Sequence, residues 1–279
     1  MKTTALFFPF DLFGSGGAKA GAELLADAFQ EMLEDNKREK TPTRARAYAG
    51  KVRFEEFLFE TIEDYASWRV DARAAIREIL DRGDFLLWIA GNHLGALPLL
   101  EELGGASTTL VIQLDAHLDI FNLSECSTEL THGNFLLHAE TPLPPMMNLG
   151  HRDLLLRPDH IAGTFERAMA SHEILTYPAN MLSEVRRRCA SAERVVLDID
   201  CDVFDPAYFP AVAQPLPFGL SPHFVMPLID AIGVSKLAAL SISEYEPSRD
   251  VDDRCLATLM WLIEYVLLLK YEKNEKKPV

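Results

Sequence analysis

Cysteine is scarce in this sequence and scattered where it occurs. Cys126, Cys189, Cys201 and Cys255 show no Cys-x-x-Cys spacing. That argues against a zinc knuckle and a disulfide framework. Positive charge is short as well: 27 Lys and Arg stand against 42 Asp and Glu, a formal net charge of −15. A chain so poor in cations is not built to follow a phosphate backbone, so no nucleic-acid partner is expected. No apolar run reaches the ~20 residues of a membrane span, so no membrane is expected either. The opening MKTTALFFPFDLFGSGG breaks its apolar run at Pro9 and Asp11, too early for a secretory signal. The expected location is the cytoplasm. No internal repeat and no linker interrupts the chain, so residues 1–279 read as a single domain.

What the chain does have is alternation. Short apolar strands are expected at TTALFFPF, DFLLWIAG, TTLVIQLDAH, PPMMNLG, HEILTYP, RVVLDID and LAALSISEY. KVRFEEFLFE reads as a strand or a loop. Between them lie helices, among them GAELLADAFQEMLEDNKREK, TIEDYASWRVDARAAIREILDRG, MLSEVRRRCASA, SPHFVMPLIDAIG and RCLATLMWLIEYVLLLK, with another near HIAGTFERAMA. Continuously apolar strands separated by helices predict an α/β fold, a three-layer α-β-α arrangement around a central, mostly parallel sheet. The Gly-rich turn after the first strand sits where phosphate loops sit. It lacks both the Lys-Ser/Thr pair and the third glycine of such loops, and reads as a backbone turn. The last helix is apolar on more than one face, which suits deep burial or a homo-oligomer contact. The charged tail YEKNEKKPV is expected to fray.

In a parallel sheet the binding crevice lies beyond the carboxyl ends of the strands. Four of those ends are polar here. RVVLDIDCDVFDP carries Asp198, Asp200, Asp202 and Asp205 within eight residues. Alternation along a strand would turn Asp198, Asp200 and Asp202 to one face, where they repel unless a cation sits between them. LDAHLD ends in Asp115, His117 and Asp119, and THGN follows with His132. GNH places His93 after a strand, and SISEYEP carries Glu244 and Glu246. Carboxylates outnumber imidazoles and no thiolate is placed to help. Such a set suits manganese, and is large enough for two ions that could hold a hydroxide between them.

These motifs resemble the ureohydrolase superfamily of arginases, agmatinases and their relatives. DAHLD matches that family's Asp-Ala-His-x-Asp, DIDCDVFDP its Asp-x-Asp-x-x-Asp-Pro, GNH its Gly-Asp-His, His132-Gly133 its His-Gly, and EYEP its Glu-x-x-Pro. The resemblance implies an arginase-like fold and two Mn2+ per chain. One ion would be held by His93, Asp115, Asp119 and Asp200, the other by Asp115, His117, Asp200 and Asp202, with Asp115 and Asp200 bridging. It implies that Glu244 binds the guanidinium, that Asp119 relays a proton to the leaving amine, and that His132 shuttles protons with solvent. Asp205 is expected to be a turn residue.

Two departures lie beside the metals. Asn92 stands where the family has an acid, and Asp198 where it has a small hydroxyl residue. The expectation is an exchange in which Asn92 or the His93 imidazole bonds to Asp198. Other departures concern the substrate's far end: Phe121 and Leu155 stand where arginases read the α-carboxylate and α-amino groups of free arginine. The opening FPFDLFGSGG and the GNHL form are similar to the peptide arginases, which convert arginine residues of ribosomally made peptides to ornithine. The expected substrate is therefore an arginine-containing peptide. The alternative is a small guanidine such as arginine, agmatine or guanidinobutyrate. A deacetylase-like amide hydrolase with one zinc is a further reading, disfavoured by His93 and Asp202 together, and a fold retained without catalysis is disfavoured by the complete ligand set.

Overall fold

A computed structural model of the chain describes residues 2–14, 16–104, 108–124 and 126–272. Eight strands form one sheet: β1 (Thr3–Phe8), β2 (Val52–Glu56), β3 (Phe85–Ala90), β4 (Thr109–Leu114), β5 (Met146–His151), β6 (Arg167–Ala170), β7 (Arg194–Asp200) and β8 (Leu237–Ser243). Their order is β2-β1-β3-β8-β7-β4-β5-β6, and every pairing is parallel. The helices are α1 (Ala18–Arg38), α2 (Ile62–Asp81), α3 (Leu97–Leu103), α4 (Pro158–Ile161), α5 (Ser171–Thr176), α6 (Pro178–Ser191), α7 (Val225–Ile232) and α8 (Arg254–Tyr271). The fold is the three-layer α/β arrangement that the alternation predicts.

Alternation along each strand feeds two cores. Ala5 and Phe7, Leu87 and Ile89, Leu197 and Ile199, and Leu240 and Ile242 pack under α1, α6, α7 and α8. Leu6 and Phe8, Leu86 and Trp88, Val111 and Val196 pack under α2 and α3. The α2 start is fixed by a capping box, in which Thr61 accepts from the Asp64 N–H and Asp64 from that of Thr61. Behind α3, Glu101 is buried and takes the guanidinium of Arg69 together with the Glu140 N–H at 2.6 Å.

The second face changes character along its length. Its lower rung, Met146, Val111, Val196, Ala239 and Leu86, is apolar and in register across five strands. The next rung toward the carboxyl edge is Asn148, Gln113, Asp198 and Ser241, again in register, and each is 0 % exposed. A polar rung buried in an apolar face must be satisfied internally.

At the sheet edge one expectation fails and one holds in part: a helix overlaps the start of HIAGTFERAMA, as α4, but ends at Ile161. HEILTYP is not a strand: residues 171–176 form α5, and the strand is the short edge piece RAMA, inside the stretch expected to be helical. An edge strand of four residues leaves too little alternation to stand out from an Ala-rich helix pattern. KVRFEEFLFE does contain a strand, β2. Of the tail expected to fray, 273–279 lies outside the described residues. Among the described residues no helix is long and apolar enough to cross a membrane.

Candidate metal centre

The carboxyl edge of β3, β8, β7 and β4 gathers the polar strand ends. After β3 the chain passes through Gly91, where a Cβ would lie 2.1 Å from the Phe10 carbonyl oxygen. Only glycine fits between that loop and the end of β8, whose Glu244 N–H donates to the Gly91 carbonyl at 2.8 Å. This pinning carries His93 into the site, and its backbone N–H donates to Glu244 Oε1 at 2.9 Å. Glu244 holds φ 61° and Asp119 φ 50°. Left-handed backbone at a non-glycine residue is costly and clusters at functional sites.

β4 ends at Leu114, so Asp115, His117 and Asp119 do not share a face by strand alternation. A turn brings them in, held by the His117 N–H on Asp115 Oδ1 at 2.6 Å and the Ala116 N–H on Asp202 Oδ1 at 3.1 Å. Asp198 and Asp200 do lie on one face of β7, while Asp202 follows in a 3-10 turn and donates its N–H to Asp200 Oδ1 at 2.9 Å. Asp205 is a turn residue, accepting from the Ala207 and Gly219 N–H groups.

Two sets of donors result. Nδ1 of His93 lies 3.2 Å from Asp115 Oδ2, 2.9 Å from Asp119 Oδ2 and 3.1 Å from Asp200 Oδ2. Nδ1 of His117 lies 2.7 Å from Asp202 Oδ2 and 3.8 Å from Asp115 Oδ1. Asp115 thus turns one oxygen to each set, and the groups His93–Asp115–Asp200 and Asp115–His117–Asp202 are each tight enough to hold an ion. Despite these short distances, His93 Nδ1 and Asp115 Oδ2 are buried without a hydrogen-bond partner. Lone pairs that converge without bonding one another fit metal ligation. Charge fits as well. Asp115, Asp119, Asp200 and Asp202 are all buried, and among the described residues none forms an ion pair with lysine or arginine. Burial, then Asp119, pushes Asp115 up to about 7. Burial, then Asp202, raises Asp200. Burial opposes a charged His117, yet the Asp202 carboxylate lifts it to about 10. Cations between the carboxylates relieve this repulsion.

Asp198 meets His93: its Oδ2 lies 3.0 Å from Nε2. Asn92 turns the other way, donating Nδ2 to the Leu12 carbonyl at 2.8 Å. Of the two contacts the sequence suggested for Asp198, the imidazole one forms.

The site opens through a cavity of about 130 Å³ lined by His93, His117, Asp119, Phe121, His132, Val212, Ala213, Gln214 and Glu244, among others. Phe121, His132 and Gly133 also border a shallower groove of about 530 Å³ that reaches Phe13, Gly14 and Asn134. The Gly-rich loop after β1 is therefore part of the mouth. The Phe13 carbonyl accepts from the His132 N–H at 2.9 Å, and a Cβ on Gly14 would come within 2.9 Å of the His132 ring. His132 Nδ1 lies 3.2 Å from Glu244 Oε1. Among the described residues no lysine or arginine lines either cavity. Phe121 is at the mouth, whereas Leu155 is exposed and borders neither cavity.

Sequence reasoning missed Gln113, Asn148 and Ser241, and the part played by the loop after β1. The signal for the first three was there: a single polar residue inside an otherwise apolar strand.

Fold and donor set together define an α/β protein with room for two metal ions at the carboxyl edge of its sheet. The chain belongs to the Arginase family, whose family model matches residues 3–268. Among curated relatives, the formimidoylglutamase of Nocardia farcinica is 28 % identical over 267 residues, covering 91 % of this chain and 80 % of that protein. The guanidinopropionase of Pseudomonas aeruginosa is 26 % identical over 182 residues, covering 63 % and 57 %. Among solved structures, the agmatine ureohydrolase of Thermoplasma volcanium superposes with a TM-score of 0.78 at 21 % identity, covering 96 % of this chain and 89 % of that one. The arginase of Bacillus subtilis gives 0.78 at 19 %, covering 96 % and 98 %.

Proposed function

We propose that this chain is a manganese-dependent ureohydrolase that splits a guanidino group and releases urea. The observation that carries this is the pair of donor sets sharing Asp115, with Glu244 in the wall of the same cavity. His93, Asp115, Asp119 and Asp200 would hold one ion, and Asp115, His117, Asp200 and Asp202 the other. The oxygen-rich set with two imidazoles and no thiolate suits manganese. Two such ions supply Lewis acidity and water activated near neutral pH. The protein's own groups do the rest. The Glu244 carboxylate accepts guanidinium N–H groups and fixes the plane of the substrate. Asp119, at the cavity wall, carries a proton toward the leaving amine. His132, half-buried between cavity and groove, exchanges protons with solvent.

The mouth bears on the carrier of the guanidino group. Among the described residues a free α-carboxylate finds no lysine or arginine there, whereas an arginine residue within a peptide presents neutral amides and an open groove beside the cavity can seat its flanks. We therefore favour peptidyl arginine, converted to ornithine. A small free guanidine is the second reading, favoured by the name of one relative, guanidinopropionase. The test is urea release by the manganese-loaded protein from an arginine-containing peptide, free arginine, agmatine and guanidinobutyrate. Turnover of the peptide above all others is expected. Activity confined to the small molecules would overturn the peptide assignment, and no urea from any of them would overturn the ureohydrolase.

A further inference from the structure

The roles above leave Asp198 unused. It is fully buried on β7, on the face that carries Asp200. Its Oδ2 lies 3.0 Å from Nε2 of His93. A second group addresses the same nitrogen: Nε2 of Gln113, at 3.4 Å. The orientation of the Gln113 amide is set from its far side. Asn148 Nδ2 donates to Gln113 Oε1 at 3.1 Å, which turns the Gln113 NH2 toward His93.

These two neighbours require opposite tautomers. An amide NH2 needs His93 Nε2 as an acceptor, which places the ring proton on Nδ1. An ionised carboxylate only accepts, so Asp198 needs the proton on Nε2. The difference matters because Nδ1 is the nitrogen within 2.9–3.2 Å of Asp115, Asp119 and Asp200. A metal binds there through a lone pair, and an N–H in its place would block it.

We propose that Asp198 is a positioning residue that decides this contest, holding the His93 proton on Nε2 and its Nδ1 lone pair toward the metal. The inference rests on the manganese reading of the site. A charge-assisted hydrogen bond outcompetes one from a neutral amide. The distances agree, 3.0 Å against 3.4 Å. The carboxylate also raises the donor strength of the imidazole, as outer partners of metal-bound histidines do. With Asp198 neutralised, Gln113 prevails, the ring proton moves to Nδ1, and the first ion loses its imidazole. The second set contains His117 instead and is untouched. Asp198 thus acts on one ion of the two.

Imidazole 15N spectra of the full chain loaded with Zn2+, used as a diamagnetic probe, read the tautomer without any substitution. A proton on Nε2 of His93 is expected, and a proton on Nδ1 overturns the proposal. Calorimetric titration with Mn2+ supplies the second measurement. Asp198→Asn is expected to weaken one ion ~10–100-fold, the usual loss when such a partner is removed, and to leave the other at wild-type affinity. Two ions bound as in wild type, or an equal loss on both, overturns it. A wild-type protein that binds two ions with the proton on Nε2, yet releases urea from no guanidine, would overturn the proposed activity and leave this assignment standing.

Discussion

Asn92 donates its side-chain amide to the Leu12 carbonyl across 2.8 Å. This single bond ties the loop after β1 to the residue beside His93, and it requires a donor. An aspartate at this position has none when ionised. Asn92→Asp is expected to release the loop. The lost bond is worth about 0.5–1.5 kcal/mol. Hydrogen exchange at residues 10–17 and the melting temperature both report it. Unchanged exchange there would remove this role from Asn92.

Metal binding is expected to stabilise the fold. An ion that binds only the folded chain adds about 2.7 kcal/mol at a hundredfold excess over its Kd. Melting in Mn2+ against chelator measures this. Replacing Asp115, the carboxylate common to both sets, is expected to abolish the difference, whereas His117→Ala leaves part of it.

His132 gives a pH dependence of known sign. Its hydrogen bond to Glu244 raises its pKa above the ordinary value, with burial opposing. The pair therefore adds stability that is complete below the unfolded-state value of about 6.5 and fades as pH rises through the folded value. Glu244→Gln is expected to move the His132 titration to lower pH. An NMR titration of the ring proton follows it, and an unmoved curve would disprove the coupling.

Arg69 and Glu101 form a half-buried ion pair, with Arg73 3.8 Å from the same carboxylate. Arg69→Ala leaves the buried Glu101 carboxylate with Arg73 as its remaining cation, so the expected cost is about 1–3 kcal/mol. Denaturant unfolding measures this, and the Mn2+ affinity of the folded protein stays the same.

Much of this was legible from residue order, for identifiable reasons. Long apolar strands such as VVLDI and TLVIQL are spaced by helices, and that pattern dictates a parallel sheet. The acids at strand ends are visible because they interrupt apolar runs: Asp198 stands between Leu197 and Ile199, and Asp119 between Leu118 and Ile120. Asp198 stood out as an extra acid, and it indeed contacts His93. Less legible was whatever depends on backbone turning. Alternation correctly pairs Asp198 with Asp200, but it does not bring in Asp119, which arrives through a left-handed turn. Nor does local sequence show that Phe13 and Gly14 meet His132, far along the chain, because that contact exists only once β1 lies beside β3. The edge strand RAMA escaped notice because four residues carry no periodicity.

The strand order has a temporal side. β8 lies between β3 and β7, so it is the last strand made and the one inserted at the middle. Until residues 237–243 have left the ribosome, His93 on one half of the sheet and Asp198 and Asp200 on the other have no common frame. A nascent chain stopped short of β8 carries every proposed metal ligand and no site, so metal uptake is expected only once residues 237–243 have emerged.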